Sequence, residues 1–276
     1  MSRTYVQATR ENSLKFVVRG KVGLGILLPL PCCAQKKTID TVRVRFSYAI
    51  KGTTTESSKQ YDDELSVDIG DSVSHCYSRW EEDNDKLWEK VKAEGGTAND
   101  YLAQQGPFSR YFERDIKHYP TKDKQTIITF LYKYFLYEEP ISQFDWQLLS
   151  GDTVIVSYPC KRAKCTYRGR TWYAWFTFDI PIHDGPWKLQ GLPGMILAAK
   201  DQKNQFSFEC IEIKDNLNTP MEVDFKKAIK STPLKVQNLR KLEESNYESY
   251  SKAVGIKRII LGFKPESRVA CLKEYY

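Results

Sequence analysis

Alternation of apolar and polar residues is the dominant pattern along this chain. Over residues 41–50, valine, phenylalanine and tyrosine alternate with polar residues, and a period of two predicts a half-buried β-strand. Strand character continues at 63–69 and 72–78, which Gly70-Asp71 separates as a hairpin turn would. The first elements of the fold are therefore expected to be three strands that follow one another in sequence.

The pattern changes to a helical period over residues 79–93. Tryptophan, leucine and valine recur there at helical spacing among acids and lysines, and Gly95-Gly96 ends the run. A second short helix is expected at 99–105 and a later helix at 235–245. Residues 108–124 are polar and aromatic without a clear period, so no element is assigned to them.

Strand character returns after residue 125 and dominates as far as residue 213. A hairpin is expected around Lys161, and the almost unbroken apolar run at 205–213 is typical of a central strand. Together these patterns predict an α+β, β-rich fold with a single antiparallel sheet, curved or half-barrel-like, and a few packed helices. The predicted strands of this region are 127–130, 132–138, 153–158, 165–167, 171–178, 195–199 and 205–213.

Composition narrows the class of protein. The chain has 276 residues, of which 41% are hydrophobic and 28% charged, as is ordinary for a soluble protein with a buried core. Its aromatic content of 13% suits β structure. The net charge of +7 is scattered rather than massed on one segment, so nucleic acid is not an expected partner.

Residues 1–34 have the pattern of a secretory signal peptide. A basic segment precedes a short apolar run, and Ala34 is the expected cleavage site. The run is too short to span a bilayer, and no later segment is long enough, so no transmembrane span is expected after signal removal. The expected location is the periplasm or outer cell envelope. Lipoprotein anchoring through Cys32 or Cys33 is a weaker alternative, because proline rather than a small residue precedes Cys32.

Export changes what the cysteines are expected to do. Loss of Cys32 and Cys33 with the signal reduces the seven cysteines to five, and an oxidising compartment permits disulfides. Cys160 and Cys165 flank a four-residue connection of hairpin length, so a disulfide between them is a candidate staple. The odd total leaves at least one thiol outside such pairs.

Candidate catalytic and metal-binding residues are few. The three histidines, His75, His118 and His183, have no partner at metal-ligand spacing, so no metal site is expected. Phosphate loops and dinucleotide fingerprints are absent from the sequence, and no cofactor is expected. His183-Asp184 is the most suggestive acid–base pair, although adjacent residues on an extended chain point apart. A hydrolase with a site near residues 183–194 is therefore kept as the alternative function.

Prolines and glycines are concentrated in residues 178–197. Proline fixes φ and glycine admits positive φ, so the segment is expected to define the conformation of a loop. It contains few residues of the types that act in catalysis. Gly191-Leu192-Pro193-Gly194 is expected to form a type II turn with positive φ at Gly194. Two interpretations stay open: a turn that determines the fold, or a rim that contacts a ligand with Trp187 as its stacking face.

A basic and aromatic patch is expected beside this loop. Trp172 and Trp175 are three residues apart, so on a strand they point to opposite faces, one into the core. Arg170 is expected either to recognise a carboxylate or phosphate through its guanidinium, or to pair with a nearby acid. Arg168 and Lys188 add positive charge to the patch. The candidate binding residues are Arg170, Trp175, Trp187, Gly191, Leu192, Pro193 and Gly194.

Short motifs occur in a fixed order through this part of the chain. They are Cys160-Lys161-Arg162-Ala163, Gly169-Arg170, Ala174-Trp175-Phe176-Thr177, Ile180-Pro181, Gly185-Pro186-Trp187-Lys188 and Gly191-Leu192-Pro193-Gly194-Met195-Ile196-Leu197. In this order they resemble the GLPGLI family, a group of exported proteins known mainly from Bacteroidetes. Met195 replaces the usual leucine, a change that conserves side-chain volume. The family has no established activity, so the resemblance implies export and an architecture but no reaction.

The resemblance also sets the expected domain organisation. A single GLPGLI-like β-rich domain is expected over 35–276, with its recognisable core at about 146–213. Residues 250–276 are basic and weakly patterned, and a poorly ordered tail is expected there.

The sequence thus predicts a non-enzymatic binding module that is exported to the periplasm or cell envelope. The prediction rests on a loop whose conformation is constrained by prolines and glycines and which contains few residues suited to catalysis. This loop is expected to lie beside a strongly hydrophobic sheet. The expected partner is an apolar or peptide-like ligand or an envelope protein. A structural interaction module of an outer-membrane complex is a third possibility beside the hydrolase.

Overall fold

The computed structural model describes residues 36–53, 60–111, 113–225 and 228–255. The predicted signal peptide, with Cys32 and Cys33, lies outside the described residues, as do residues 256–276 of the predicted tail, with Cys271. Within the described ranges, none of the helices has the length and apolar character needed to cross a bilayer.

The described chain forms fourteen strands and four helices. The strands are β1 Lys37–Val42, β2 Val44–Thr53, β3 Gln60–Ile69, β4 Ser74–Ser78, β5 Glu113–Lys117, β6 Lys124–Leu131, β7 Lys133–Pro140, β8 Gln147–Ile155, β9 Tyr158–Tyr167, β10 Arg170–Thr177, β11 Met195–Asp201, β12 Phe206–Lys214, β13 Thr219–Val223 and β14 Ala228–Lys230. The helices are α1 Arg79–Ala93, α2 Ala98–Gln104, α3 Pro233–Ser245 and α4 Tyr247–Val254.

Twelve of the strands form one large sheet in the order β14-β7-β6-β5-β4-β3-β2-β12-β11-β10-β9-β8. Its strands pair antiparallel except β14, which runs parallel to β7 at one edge. β1 and β13 pair antiparallel as a separate two-stranded sheet. The fold is therefore β-rich, but the predicted single antiparallel sheet is wrong.

Long connections explain why the sequence did not reveal these two departures. β13 lies in sequence between β12 and β14, which both belong to the large sheet, yet it pairs with β1 at the start of the described chain. β14 reaches the far edge without a hairpin, and a strand that arrives by a longer connection is free to run parallel. Local alternation predicts a strand and leaves its partner undetermined.

The first helix begins and ends where its sequence pattern predicts. Ser78 caps α1 by accepting a hydrogen bond from the backbone N–H of Glu81, 3.2 Å away. Thr97 and Asp100 form a capping box at the start of α2. Local side-chain signals are therefore sufficient to place both helices.

β5 lies within residues 108–124, where the sequence pattern predicts no element. The strand places Glu113, Asp115 and Lys117 on one face, and all three side chains are buried. A strand whose inward face is charged lacks the apolar alternation by which strands are recognised. The partners that neutralise these charges come from distant parts of the chain.

Three apolar clusters form the core. The largest lies on the part of the sheet that runs from β4 through β3, β2, β12, β11 and β10 to β9, and it holds fully buried aromatic side chains such as Phe46, Tyr48 and Trp172. A second cluster packs α3 and α4 on β6 and β7, and a third joins the two-stranded sheet to the large one. α3 and α4 thus cover one end of the sheet, and residues 178–194 pack into the largest cluster.

The hairpin predicted around Lys161 lies elsewhere. The chain turns at Val156-Ser157, where both residues have positive φ (48° and 68°), and Lys161 lies within β9. A two-residue turn with two positive φ angles suits the twist of a hairpin. Cys160 and Cys165 consequently lie on the same extended strand, and both are free thiols. The candidate disulfide between them is not formed.

Candidate functional site

Residues 178–194, hereafter the Pro-Gly loop, are held by a buried lysine. Lys117 of β5 is 0% exposed, and its ammonium group donates to the carboxylate of Asp184. The same ammonium donates to the backbone carbonyls of Gly185, at 2.8 Å, and Leu189, at 3.1 Å. One charged side chain therefore fixes both ends of the segment 185–189. Since a charge is buried only when it is paired, these contacts make the loop conformation specific.

A second buried lysine fixes the next part of the loop. Lys188 is 1% exposed and donates to Oε1 of Glu139 on β7, 2.7 Å away. Gln125 of β6 donates to the same oxygen at 2.7 Å. The loop backbone also accepts a hydrogen bond at Gln190 O from Trp146 Nε1, at 2.8 Å. The loop is thus joined to β5 and β7 by buried polar contacts, and Gln125 of β6 supports the Glu139 carboxylate.

Asp115 lies in the same polar band, between the two lysines and Glu113. The hydroxyl of Tyr111 donates to its Oδ2 at 2.6 Å. Burial, reinforced by the charge of Glu113, raises the pKa of Asp115 to about 7. The lysine charges oppose this rise. The band is therefore a tightly packed charge network with no open access to solvent at Asp115.

Trp187 belongs to the core, which corrects its predicted role. It is 2% exposed, with its ring 5.5 Å from that of Trp172 and 5.9 Å from that of Tyr167. Its backbone N–H donates to the Cys76 thiol at 3.3 Å. A buried ring offers no stacking face to a ligand, so the rim interpretation fails at Trp187.

The glycines of the Pro-Gly loop act differently from the prediction. Positive φ occurs at Gly191 (88°), while Gly194 has no positive φ. At Gly194 the constraint is space, because a Cβ would lie 1.9 Å from the carbonyl oxygen of Thr177. Leu192 is buried between them, and Pro193 is exposed. The segment thus fixes the fold by close backbone approach, and the predicted type II turn is wrong.

Arg170 pairs with a nearby acid, which is the second of the two roles expected for it. Its guanidinium lies 2.6 Å from the carboxylate of Asp201, which is 0% exposed, and 3.0 Å from Oε1 of Gln205. It also stacks over the ring of Phe206 at 5.0 Å. Because its guanidinium is engaged in these intramolecular contacts, Arg170 has few hydrogen-bond donors left for a ligand.

A basic and aromatic surface does exist, on the other face of the same strands. Trp172 is fully buried, whereas Trp175 is half-buried on the opposite face, as their spacing predicts. Around Trp175 the register of β9, β10 and β11 collects a set of cations and a second aromatic ring. We call this set the cationic face; its residues are Arg162, Lys164, Tyr173, Trp175 and Lys200.

Arg162 is the centre of the cationic face. Its guanidinium lies 4.7 Å from the ring centroid of Tyr173 and 5.6 Å from that of Trp175. The Lys200 ammonium lies 5.9 Å from the ring of Trp175 on the other side. Within the described chain, no carboxylate pairs with Arg162, Lys164 or Lys200. The cationic face therefore presents two aromatic rings and three cations, and none of these cations has a carboxylate partner within the described chain.

The period of β-strands contains the signal that would have found this face. Tyr173 and Trp175 are two residues apart on one strand, as are Arg162 and Lys164 on the next, so each pair shares a face. What the sequence does not contain is the register that places Arg162 opposite Trp175. Without that register, the sequence does not distinguish Arg162 from Arg170 as the candidate binding residue.

The residues of the hydrolase alternative do not assemble a site. His183 is exposed, and Asp184 is buried in its ion pair with Lys117. The two side chains therefore point apart, which removes the basis of an acid–base pair. Among the residues described here, no three histidine, cysteine or carboxylate side chains are arranged to hold a metal ion.

Comparison with known protein families gives a match to one family model, over part of the chain. Residues 161–198, from β9 into β11, match the model of a Bacteroidetes-associated family described as "Protein of unknown function (Porph_ging)". The match does not confirm the GLPGLI name. The search of curated proteins gives no match. The matched segment includes four of the cationic-face residues and the whole Pro-Gly loop.

Similarity to solved structures is weak. Two structures of PNGF-II, in the P21 and C2 space groups, share 12% and 13% identity with TM-scores of 0.49 and 0.47. Each match covers 71% of this chain and 32% of the other, so the chain spans about a third of their length. The LolA superfamily protein NE2245 from Nitrosomonas europaea matches over 63% of this chain and 86% of its own, with 10% identity and a TM-score of 0.24. Similarities at this level carry no functional argument.

Proposed function

We propose that this protein is an exported binding module of the periplasm or cell envelope, and that it binds a peptide-like ligand on the cationic face. The observation that carries the proposal is Arg162, held between Tyr173 and Trp175 with no carboxylate partner in the described chain. Arginine and aromatic side chains dominate the energetics of protein recognition sites. A planar guanidinium in this setting suits the carboxylate of a ligand.

The geometry supports binding on a face in preference to binding in a pocket. The Pro-Gly loop fills the inner side of the sheet, where Trp187 and Leu189 are buried. The outer side at β9, β10 and β11 keeps Trp175 half-exposed between the two cations. A flat or shallow surface of this kind suits an extended chain better than a compact small molecule.

Binding is tested with a synthetic peptide array that varies in charge and in aromatic content, followed by titration calorimetry of the peptides retained. Arg162→Gln is expected to weaken binding by about tenfold or more, since hydrogen bonds to charged groups contribute about 1.5–3 kcal/mol. Trp175→Ala is expected to weaken it by a similar factor, because aromatic side chains supply much of the binding energy at recognition sites. Arg43→Gln is the matched control, because it removes the same charge from an exposed ion pair with Asp71. Retention of no peptide, or equal losses in all three variants, would refute the proposal.

Export is a separate part of the proposal and rests on the sequence pattern of residues 1–34. Cell fractionation with mass spectrometry of the amino terminus tests it. A mature chain that begins near Gln35 in the envelope fraction supports export. An uncleaved chain in the cytoplasm would contradict it.

A further inference from the structure

β8 is a free edge of the twelve-stranded sheet. It pairs with β9 on one side, and its burial pattern is exposed at seven of nine positions. Two of its apolar side chains are far from buried, with Leu148 64% and Val154 68% exposed. An edge with exposed apolar side chains is a template for pairing with another strand.

The hairpin register identifies which backbone groups of β8 face away from β9. In an antiparallel pair, opposite residues alternate between hydrogen-bonded and non-hydrogen-bonded pairs. Ile155 and Tyr158 close the two-residue turn as a hydrogen-bonded pair, so Val154 and Pro159 form the next, non-hydrogen-bonded pair. The position of Pro159 agrees with this alternation, because proline has no N–H to donate. The N–H and C=O of Val154, and those of Asp152 two residues earlier, therefore point to the free side.

β8 carries little of the protection that edge strands usually have. Its nine residues include no lysine and no proline, the two residues that most often block an edge. A bulge at Ser150-Gly151 interrupts the first half, whereas residues 152–155 pair regularly. The opposite edge of the same sheet ends in β14, which has only three residues. The two edges thus differ, and the accessible one lies beside the cationic face.

We infer that the ligand is an acidic polypeptide segment that adds to β8 as a further strand. This inference rests on the proposed function, because β9, the neighbour of β8, carries Arg162 and Lys164. An added strand lies about 10 Å from β9, two strand spacings away, within the combined reach of an arginine and a glutamate side chain. Backbone hydrogen bonds to the edge supply affinity, and the carboxylates supply specificity.

Charge also decides between a foreign strand and a second copy of this chain. Pairing of β8 with the β8 of another copy would bring two cationic faces beside each other. Neither face has carboxylate partners in the described chain, and the chain carries a net charge of +7. Like charges that meet across an interface oppose association. An acidic partner, in contrast, neutralises them.

The test uses a blocked peptide of alternating glutamate and valine, about eight residues long to match β8. Titration calorimetry is expected to show binding of this peptide and none of its lysine–valine counterpart. Val154→Pro removes the N–H that faces the free edge and spares the bonds to β9, and it is expected to reduce affinity by about tenfold. Val154→Ala keeps the N–H, so its loss is expected to be smaller. Circular dichroism confirms that each variant folds.

Modified peptides keep the test independent of the folding of any variant. Two versions of the peptide carry N-methyl groups on alternate residues, one version for each edge of the peptide strand. Only one of them is expected to lose binding, because only one edge of the peptide contacts β8. Equal binding of both versions overturns strand addition, as does unchanged affinity in Val154→Pro.

The outcomes separate this inference from the proposed function. If Arg162→Gln loses peptide binding and Val154→Pro does not, binding on the cationic face is supported and strand addition at β8 is overturned. Equal binding of the lysine peptide overturns the acidic partner. Dimerisation that Val154→Pro abolishes, with no peptide bound, identifies a second copy as the occupant and overturns the inference. Peptide binding that no variant at either place changes overturns both proposals.

Discussion

Replacement of Gly194 by alanine tests whether close backbone approach fixes the Pro-Gly loop. A Cβ at this position would lie 1.9 Å from the carbonyl oxygen of Thr177, 2.8 Å from its carbonyl carbon and 3.3 Å from Cα of Phe178. The obstructing atoms are backbone, so no side-chain rotation relieves the clash. Since carbon atoms pack at about 3.5–4.0 Å, β11 must move away from the end of β10 by more than about 1 Å.

The magnitude follows from the cost of overpacking. Extra methyl groups in a packed core destabilise a protein by about 1–3 kcal/mol, and a rigid backbone obstacle places Gly194→Ala at or above the upper end. In a domain of this size each kcal/mol lowers Tm by about 2–4 °C. Urea denaturation of the purified domain, followed by circular dichroism, measures the loss of stability.

Gly191 provides the matched control for this measurement. The nearest neighbour of a Cβ there is Trp146 Nε1 at 4.0 Å, so Gly191→Ala adds no clash. Its positive φ alone makes alanine unfavourable, by about 1–2 kcal/mol. Gly194→Ala is therefore expected to be the more damaging change. A smaller loss at Gly194 than at Gly191, or none, would refute the argument from close approach.

Two further predictions concern the buried charges, and those for Arg162, Trp175 and Val154 are given with the proposals above. Lys117→Met leaves the Asp184 carboxylate buried without its cation, so unfolding free energy is expected to fall by about 3–5 kcal/mol in urea titrations. Combining it with Asp184→Asn should recover part of that loss, and a double variant as unstable as the single one would count against the pair. Burial raises the folded-state pKa of Asp115 from 3.8 to about 7, so the folded state binds the proton more tightly than the unfolded state. This group's contribution to stability is therefore full below the unfolded value and declines as pH rises towards 7. Asp115→Asn should flatten that decline, and an unchanged pH profile of stability would exclude Asp115 as its source.

Local patterns were sufficient for part of the fold. The period of two over residues 41–50 gives β2, and the helical spacing with Gly95-Gly96 gives α1, because both patterns repeat between near neighbours in the sequence. The opposite orientation of Trp172 and Trp175 follows from the same period. These features depend on neighbours a few residues apart, and the sequence contains that information.

Distant partners decided the rest. β5 escaped prediction because its inward side chains are charged, and the groups that pair with them lie far away, as Asp184 does for Lys117. Arg170 and Arg162 are both arginines beside aromatic residues. Only register separates the one that pairs with Asp201 from the one that stacks on Trp175 without a carboxylate.

The sequence by itself therefore determined that this chain is β-rich and that residues 178–194 hold a specific loop shape. Tertiary structure decided that the loop is a buried part of the core and that the candidate binding surface lies on the outer side of the sheet. The physical reason is the range of the interactions. Alternation and capping act between near neighbours, whereas burial of Trp187 and pairing of Lys117 require residues that meet only when the strands assemble.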